Sequence, residues 1–126
     1  MEDLLVSDES MVIESHKGKY GVTFCKDGAK YLVENLPEKN YHIIIDRRVA
    51  ELYSDELKPI LDHSSVLQIE AFERNKSLEI MPNYVAHLVS RQIRRDDILI
   101  AIGGGIIQDI TCFLAATLLR GVDWYF

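Results

Sequence analysis

Ile98-Leu99-Ile100-Ala101-Ile102-Gly103-Gly104-Gly105-Ile106-Ile107-Gln108-Asp109 joins a short apolar run to three consecutive glycines and then to an apolar, helix-prone segment. The pattern reads as a β-strand, a tight backbone turn and the start of a helix. Such a junction favours anions. Glycines let the backbone approach a phosphate with no side chain in the way, and the free N–H groups and dipole of the helix start attract negative charge. Neither common nucleotide pattern fits. The third glycine position of G-x-G-x-x-G holds Gln108, and no Gly-Lys-Ser/Thr follows. The competing reading is a structural turn whose glycines only let strand and helix pack closely.

Upstream of this junction, strand-like and helix-like runs alternate. Residues 41–45 form a β-branched run ending on Asp46. Residues 49–61 carry apolar side chains at Val49, Leu52, Tyr53, Leu57, Ile60 and Leu61, a helical period, with Pro59 near the end. Residues 65–69 predict another strand. Ser77 is placed to cap a helix in which Met81, Tyr84, Val85, Leu88, Val89 and Ile93 share one face, with Pro82 early in it. Residues 106–119 predict a helix apolar nearly all round, ended by Gly121, and residues 122–126 a further strand. Nearer the start, residues 11–14 and 20–24 predict a β-hairpin around His16-Lys17-Gly18-Lys19, and residues 29–35 a short helix. Residues 1–10 are acidic and weakly patterned, and are expected to be loosely held.

The predicted fold is α/β: a Rossmann-like parallel sheet with helices on both faces, preceded by a β-hairpin, over a single domain of residues 11–126. Asp46, residues 70–76 and residues 103–109 each follow a strand. They therefore gather at one sheet edge, where α/β folds bind ligands. Asp46 can accept from ribose hydroxyls or cap the next helix. Asp109 can serve the helix N-terminus or a polar ligand group. Glu73 and Lys76 read, by themselves, as a solvated charged loop.

The bulk properties narrow the function classes. With 126 residues, 48% hydrophobic and 27% charged, the chain can bury a core and is not of disordered composition. A net charge of −6 argues against non-specific nucleic-acid binding. No apolar run nears the roughly 20 residues a membrane span needs, and Met1-Glu2-Asp3 lacks the basic start of a signal peptide. Cys25 and Cys112 stand far apart and read as reduced thiols, hence a cytoplasmic protein. His16, His42, His63 and His87 show no metal-ligand spacing and read as surface or half-buried side chains, and the spacing alone argues for no Ser-His-Asp arrangement.

Gly103 to Asp109, followed by Phe113, Ala115-Ala116-Thr117 and Arg120-Gly121-Val122, resembles the N-terminal domain of 3-dehydroquinate synthase and its sugar phosphate cyclase relatives. Asp46-Arg47-Arg48-Val49-Ala50-Glu51-Leu52-Tyr53 resembles the family's strand-end aspartate and following helix. Phe72-Glu73-Arg74-Asn75-Lys76-Ser77-Leu78 resembles its Gly-Glu-x-x-Lys-Ser segment. Phe72, Arg48 and Gln108 stand where the family usually has glycine, asparagine and a small residue. The resemblance implies NAD bound at the domain edge. Asp46 would hold the adenosine ribose, Glu73 and Lys76 the same half, Gly103, Gly104 and Gly105 the pyrophosphate, and Asp109 would lie near the nicotinamide. It implies a carbon–oxygen lyase that oxidises a phosphorylated sugar acid or sugar phosphate, eliminates phosphate, reduces the ketone and closes the ring. A divalent metal, zinc or cobalt, would belong to a helical C-terminal domain beyond Phe126, so this chain alone would have no turnover. A homodimer is also expected. The rivals are the metal-dependent alcohol and glycerol dehydrogenases, which share a Gly-Gly-Gly-x-x-x-Asp turn, and a stand-alone nucleotide-binding module. The Arg120-Gly121 end favours the cyclases.

Overall fold

The computed structural model describes residues 9–126, which form two compact units divided after Asn35. In the first, β1 (Glu9–Ser15) and β2 (Gly18–Phe24) pair antiparallel from Glu9↔Phe24 to Ser15↔Gly18. The Ser15 hydroxyl closes the turn by donating to Gly18 O at 2.9 Å. Asp27 caps α1 (Gly28–Glu34) by accepting from Lys30 N–H at 3.1 Å. The expected hairpin and helix are present. Residues 9 and 10, however, are paired in β1 rather than loosely held. The rest of the stretch expected to be loose, residues 1–8, lies outside the described residues.

The second unit, Leu36–Phe126, is a parallel sheet of β3 (Tyr41–Asp46), β4 (Val66–Ile69), β5 (Ile98–Ile102) and β6 (Asp123–Tyr125), in the order β4-β3-β5-β6. All three pairings are parallel. The helices between them are α2 (Arg47–Leu52), α3 (Lys58–Leu61), α4 (Met81–Ser90) and α5 (Gly105–Thr117). The connection from β3 to β4 runs one way across the sheet, and those from β4 to β5 and from β5 to β6 run the other. With right-handed crossovers, these directions send the helices to opposite faces. The core agrees. Ile44, Leu99 and Ala101 are buried in one cluster with Met81, Tyr84 and Leu88 of α4 and Ile107, Ile110 and Leu114 of α5. Strand alternation turns Ile43, Ile45, Ile98 and Ile100 to the other face. All four are buried, as are Ala50 of α2 and Ile60 of α3. Among the described residues no helix is long and apolar enough to cross a membrane.

Four local expectations are corrected. The single helix over residues 49–61 is two short helices. Proline at position 59 has no N–H to give Asp55, and inside a continuous helix its ring would strike the Asp55 carbonyl. The chain instead turns at residues 53–57, and Pro59 enters the first turn of α3. Ser77 does not cap α4 with its side chain. A 3-10 turn over Glu73–Lys76 intervenes, and the Ser77 carbonyl accepts from Ile80 and Met81 N–H instead. α5 is not buried all round. Ile107, Ile110, Thr111, Leu114 and Ala115 form its buried stripe, while Phe113 is 38% exposed. Among the histidines, His42 is buried within β3 rather than at the surface or half-buried; His87 is half-buried as expected, and its Nε2 has no hydrogen-bond partner among the described residues.

α4 ends in a Schellman turn. Ile93 N–H reaches Leu88 O at 3.1 Å and Gln92 N–H reaches Val89 O at 2.9 Å. That geometry puts Gln92 at φ 60°, a left-handed conformation that favours glycine. Gln92→Gly is therefore expected to raise stability by about 0.5–1 kcal/mol, read as a higher urea midpoint at unchanged slope. A lower midpoint would show that the glutamine side chain contributes more than the backbone strain costs.

Candidate functional site

The carboxyl ends of β3, β4 and β5 define one edge of the sheet. Between β3 and β5 the chain leaves in opposite directions, to α2 on one face and α5 on the other. This is the switch point at which open α/β sheets leave a crevice. Asp46 stands at one lip and Gly103 at the other, directly after the Ile45↔Ile102 pair.

Asp46 is the N-cap of α2, its Oδ1 accepting from Arg48 N–H at 2.8 Å. Among the described residues its Oδ2 has no hydrogen-bond donor. The capping role expected of it is present, and one carboxylate oxygen remains for a ligand.

The three glycines divide by what surrounds them. A Cβ on Gly103 would lie 2.8 Å from Ile107 Cγ1, 3.0 Å from Ile107 Cβ and 3.1 Å from Asp46 Cβ. Gly103 thus lets β3, β5 and α5 converge, the packing role weighed for the turn. A Cβ on Gly104 or Gly105 would meet nothing within 4 Å. Neither has a positive φ. No internal contact and no conformation demands glycine there. Gly104 is the N-cap of α5 and offers no side-chain cap. The first bond of the helix runs from Gln108 N–H to Gly104 O at 3.0 Å. The N–H groups of Gly105, Ile106 and Ile107 come before it and receive no helical partner. This uncapped end, at a 13-residue helix with no acidic residue in its first turn, can accept an anion's oxygens.

Glu73, Lys76 and Asp109 form a second group on the same edge. The Lys76 ammonium lies 2.9 Å from Glu73 Oε1 and 3.1 Å from Asp109 Oδ2. Its hydrogen bonds to the Glu73 and Asp109 carboxylates hold its pKa above the usual lysine value. Asp109, on the second turn of α5, therefore finds its partner in Lys76 rather than in the helix N-terminus. The bond spans 33 positions and ties the turn after β4 to α5.

Other residues brace this arrangement without having been anticipated. Asn75 Nδ2 donates to Glu70 O at 2.8 Å, and the Tyr84 hydroxyl donates to Asn75 O at 2.7 Å. Arg47 Nη1 lies 2.8 Å from Glu70 Oε1. An open hollow of about 250 Å³ lies among Arg47, Gln68, Ile69, Glu70, Asn75 and Tyr84. The signal available was positional: Glu70 directly follows β4, as Asp46 closes β3. Among the described residues no group of three or more His, Cys, Asp or Glu side chains is placed to hold a metal ion. Burial pushes the Cys112 thiol up, away from the reactive thiolate.

Residues 66–126 match the family profile described as 3-dehydroquinate synthase N-terminal. The 3-dehydroquinate synthase of Clostridium kluyveri is 31% identical over 126 residues, covering 97% of this chain and 34% of that protein. That of Dichelobacter nodosus is 40% identical over 84 residues, covering 65% of this chain and 23% of that protein. The chain thus spans about a third of the length of the curated relatives it matches over most of its length. Among solved structures, 2-deoxy-scyllo-inosose synthase complexed with carbaglucose-6-phosphate, NAD+ and Co2+ superposes with a TM-score of 0.75 at 16% identity. The overlap covers 92% of this chain and 34% of that one, and supports a shared fold. Sequence motifs, sheet order and these similarities agree: the chain belongs to the 3-dehydroquinate synthase family, and it corresponds to that family's N-terminal part.

Proposed function

We propose that this chain supplies the NAD-holding domain of a 3-dehydroquinate synthase-like cyclase. The whole enzyme is a carbon–oxygen lyase that closes a phosphorylated sugar acid or sugar phosphate into a ring with loss of phosphate. One observation carries this: Gly104 and Gly105 are glycines that no contact among the described residues requires, placed at an uncapped helix start beside Asp46. Glycine at such a helical position costs roughly 0.5–1 kcal/mol relative to alanine, and close approach by a ligand accounts for it.

In the complex, the N–H groups of Gly105, Ile106 and Ile107 bind and orient the pyrophosphate, with Gly103 shaping the turn. Asp46 Oδ2 accepts from the adenosine ribose. Glu73 lies on the same half. Lys76, held between Glu73 and Asp109, lies on that half too, and Asp109 lies toward the nicotinamide. NAD bound there would supply a reversible hydride acceptor. The NAD+, Co2+ and sugar-phosphate analogue in the complex of the structural neighbour support this assignment of ligands. A divalent metal, zinc or cobalt, then belongs to a helical C-terminal domain of the whole protein, which acts as a cytoplasmic homodimer in the shikimate pathway.

Gly105→Ala tests the site directly. The variant is expected to gain about 0.5–1 kcal/mol of stability, while its affinity for NAD+ falls at least about tenfold. Urea melts and NMR titration of the 15N-labelled chain read the two quantities. An NAD+ affinity equal to that of the parent chain would remove the pyrophosphate from this turn.

A further inference from the structure

We infer that the crevice also accepts a dinucleotide carrying a 2′-phosphate on its adenosine ribose, with Arg48 as the residue that takes the phosphate; this rests on the dinucleotide assignment above. A strand-end aspartate suits an unmodified ribose, because it accepts from the hydroxyls and repels a phosphate in their place. A nearby arginine reverses that preference. Two arginines directly follow Asp46, and the structure separates them. Arg47 is committed, its guanidinium 2.8 Å from Glu70 Oε1. Arg48 is exposed, and among the described residues no carboxylate forms an ion pair with its guanidinium. Its own N–H, 2.8 Å from Asp46 Oδ1, fixes it in the first turn of α2 beside the ribose position. That bond also draws on the negative charge that would repel a 2′-phosphate. A guanidinium presents a planar fork of donors that matches phosphate oxygens. Asp46 and Arg48 together thus make a site for both NAD+ and NADP+, selective through the arginine rather than through the loss of the aspartate.

The test is titration of the 15N-labelled chain with NAD+, with NADP+, and with AMP and adenosine 2′,5′-bisphosphate, at constant ionic strength. NADP+ is expected to bind within about tenfold of NAD+. Arg48→Gln should raise the ratio Kd(NADP+)/Kd(NAD+) at least about tenfold, the scale of a lost charged hydrogen bond, and the bisphosphate should follow NADP+. Arg48→Lys should recover part of the ratio, and Arg47→Gln should leave it in place. If NAD+ binds while NADP+ is excluded, or if Arg48→Gln leaves the ratio unchanged, the 2′-phosphate site is overturned and the NAD site stands. If no nucleotide binds, both fall together.

Discussion

Replacing His42 by leucine is expected to destabilise the parallel-sheet unit by about 3 kcal/mol. His42 is the second residue of β3 and is 4% exposed. Its Nδ1 lies 2.6 Å from Ser65 Oγ and its Nε2 lies 2.9 Å from Asp97 Oδ2. Ser65 and Asp97 are themselves only 3% and 6% exposed. Each stands one residue before a strand, so this network joins the starts of β3, β4 and β5. Leucine is apolar and of similar size, so it still fills the space. What it removes is the partner of a buried carboxylate, which is left with the Arg94 N–H at 2.9 Å. The trio has the composition of a hydrolase triad, but it lies at the amino ends of the strands, enclosed, on the far side of the sheet from the crevice. A thermal midpoint lower by at least about 10 °C is the expected reading. A shift within about 2 °C would mean that the network contributes nothing beyond packing.

Gly103→Ala is expected to cost about 2–4 kcal/mol, whereas Gly104→Ala should stay within about 0.5 kcal/mol. The atoms that the new methyl group would meet are the Cβ and Cγ1 of Ile107 and the Cβ of Asp46. The two Cβ atoms are fixed to backbone, and Ile107 is fully buried in α5, so no flexible side-chain tip can swing aside. Relief requires β3 and α5 to separate at the mouth of the crevice. A φ of 156° adds to the strain for any residue with a Cβ. Nucleotide affinity should fall with stability in Gly103→Ala, in contrast to Gly105→Ala, where the two move in opposite directions. Urea melts of the three single variants compare them, and equal costs at all three positions would defeat the packing explanation of Gly103.

The α/β order, the hairpin and the placement of Asp46, Glu73, Lys76, the glycines and Asp109 at one sheet edge were legible in the sequence because they are written locally. Short continuous apolar runs, helical stripes and Gly or Pro punctuation each lie within a dozen residues. What escaped was set by distant partners or by fine backbone geometry. The Lys76–Asp109 bond depends on how α5 packs against the turn after β4. The His42 network depends on strand register, which leaves a lone histidine before an isoleucine run looking ordinary. Pro59 was visible, yet the helical spacing of Leu57, Ile60 and Leu61 persisted through the break and concealed it. The family resemblance, in turn, makes Glu73 and Lys76 site candidates where spacing alone reads a solvated charged loop.

The order β4-β3-β5-β6 has a kinetic consequence. β3 and β4 pair across a short stretch of chain and carry no crevice. Asp46 and Gly103 become neighbours only when β5 docks on the other side of β3, after α4 has crossed the sheet. Closing that longer loop is the entropically costlier step. Any anion held across the two lips binds the docked sheet and not its precursor, and so draws the chain toward it by mass action. A nucleotide bound in the crevice would in this sense also act as a template for the docking of β5 on β3.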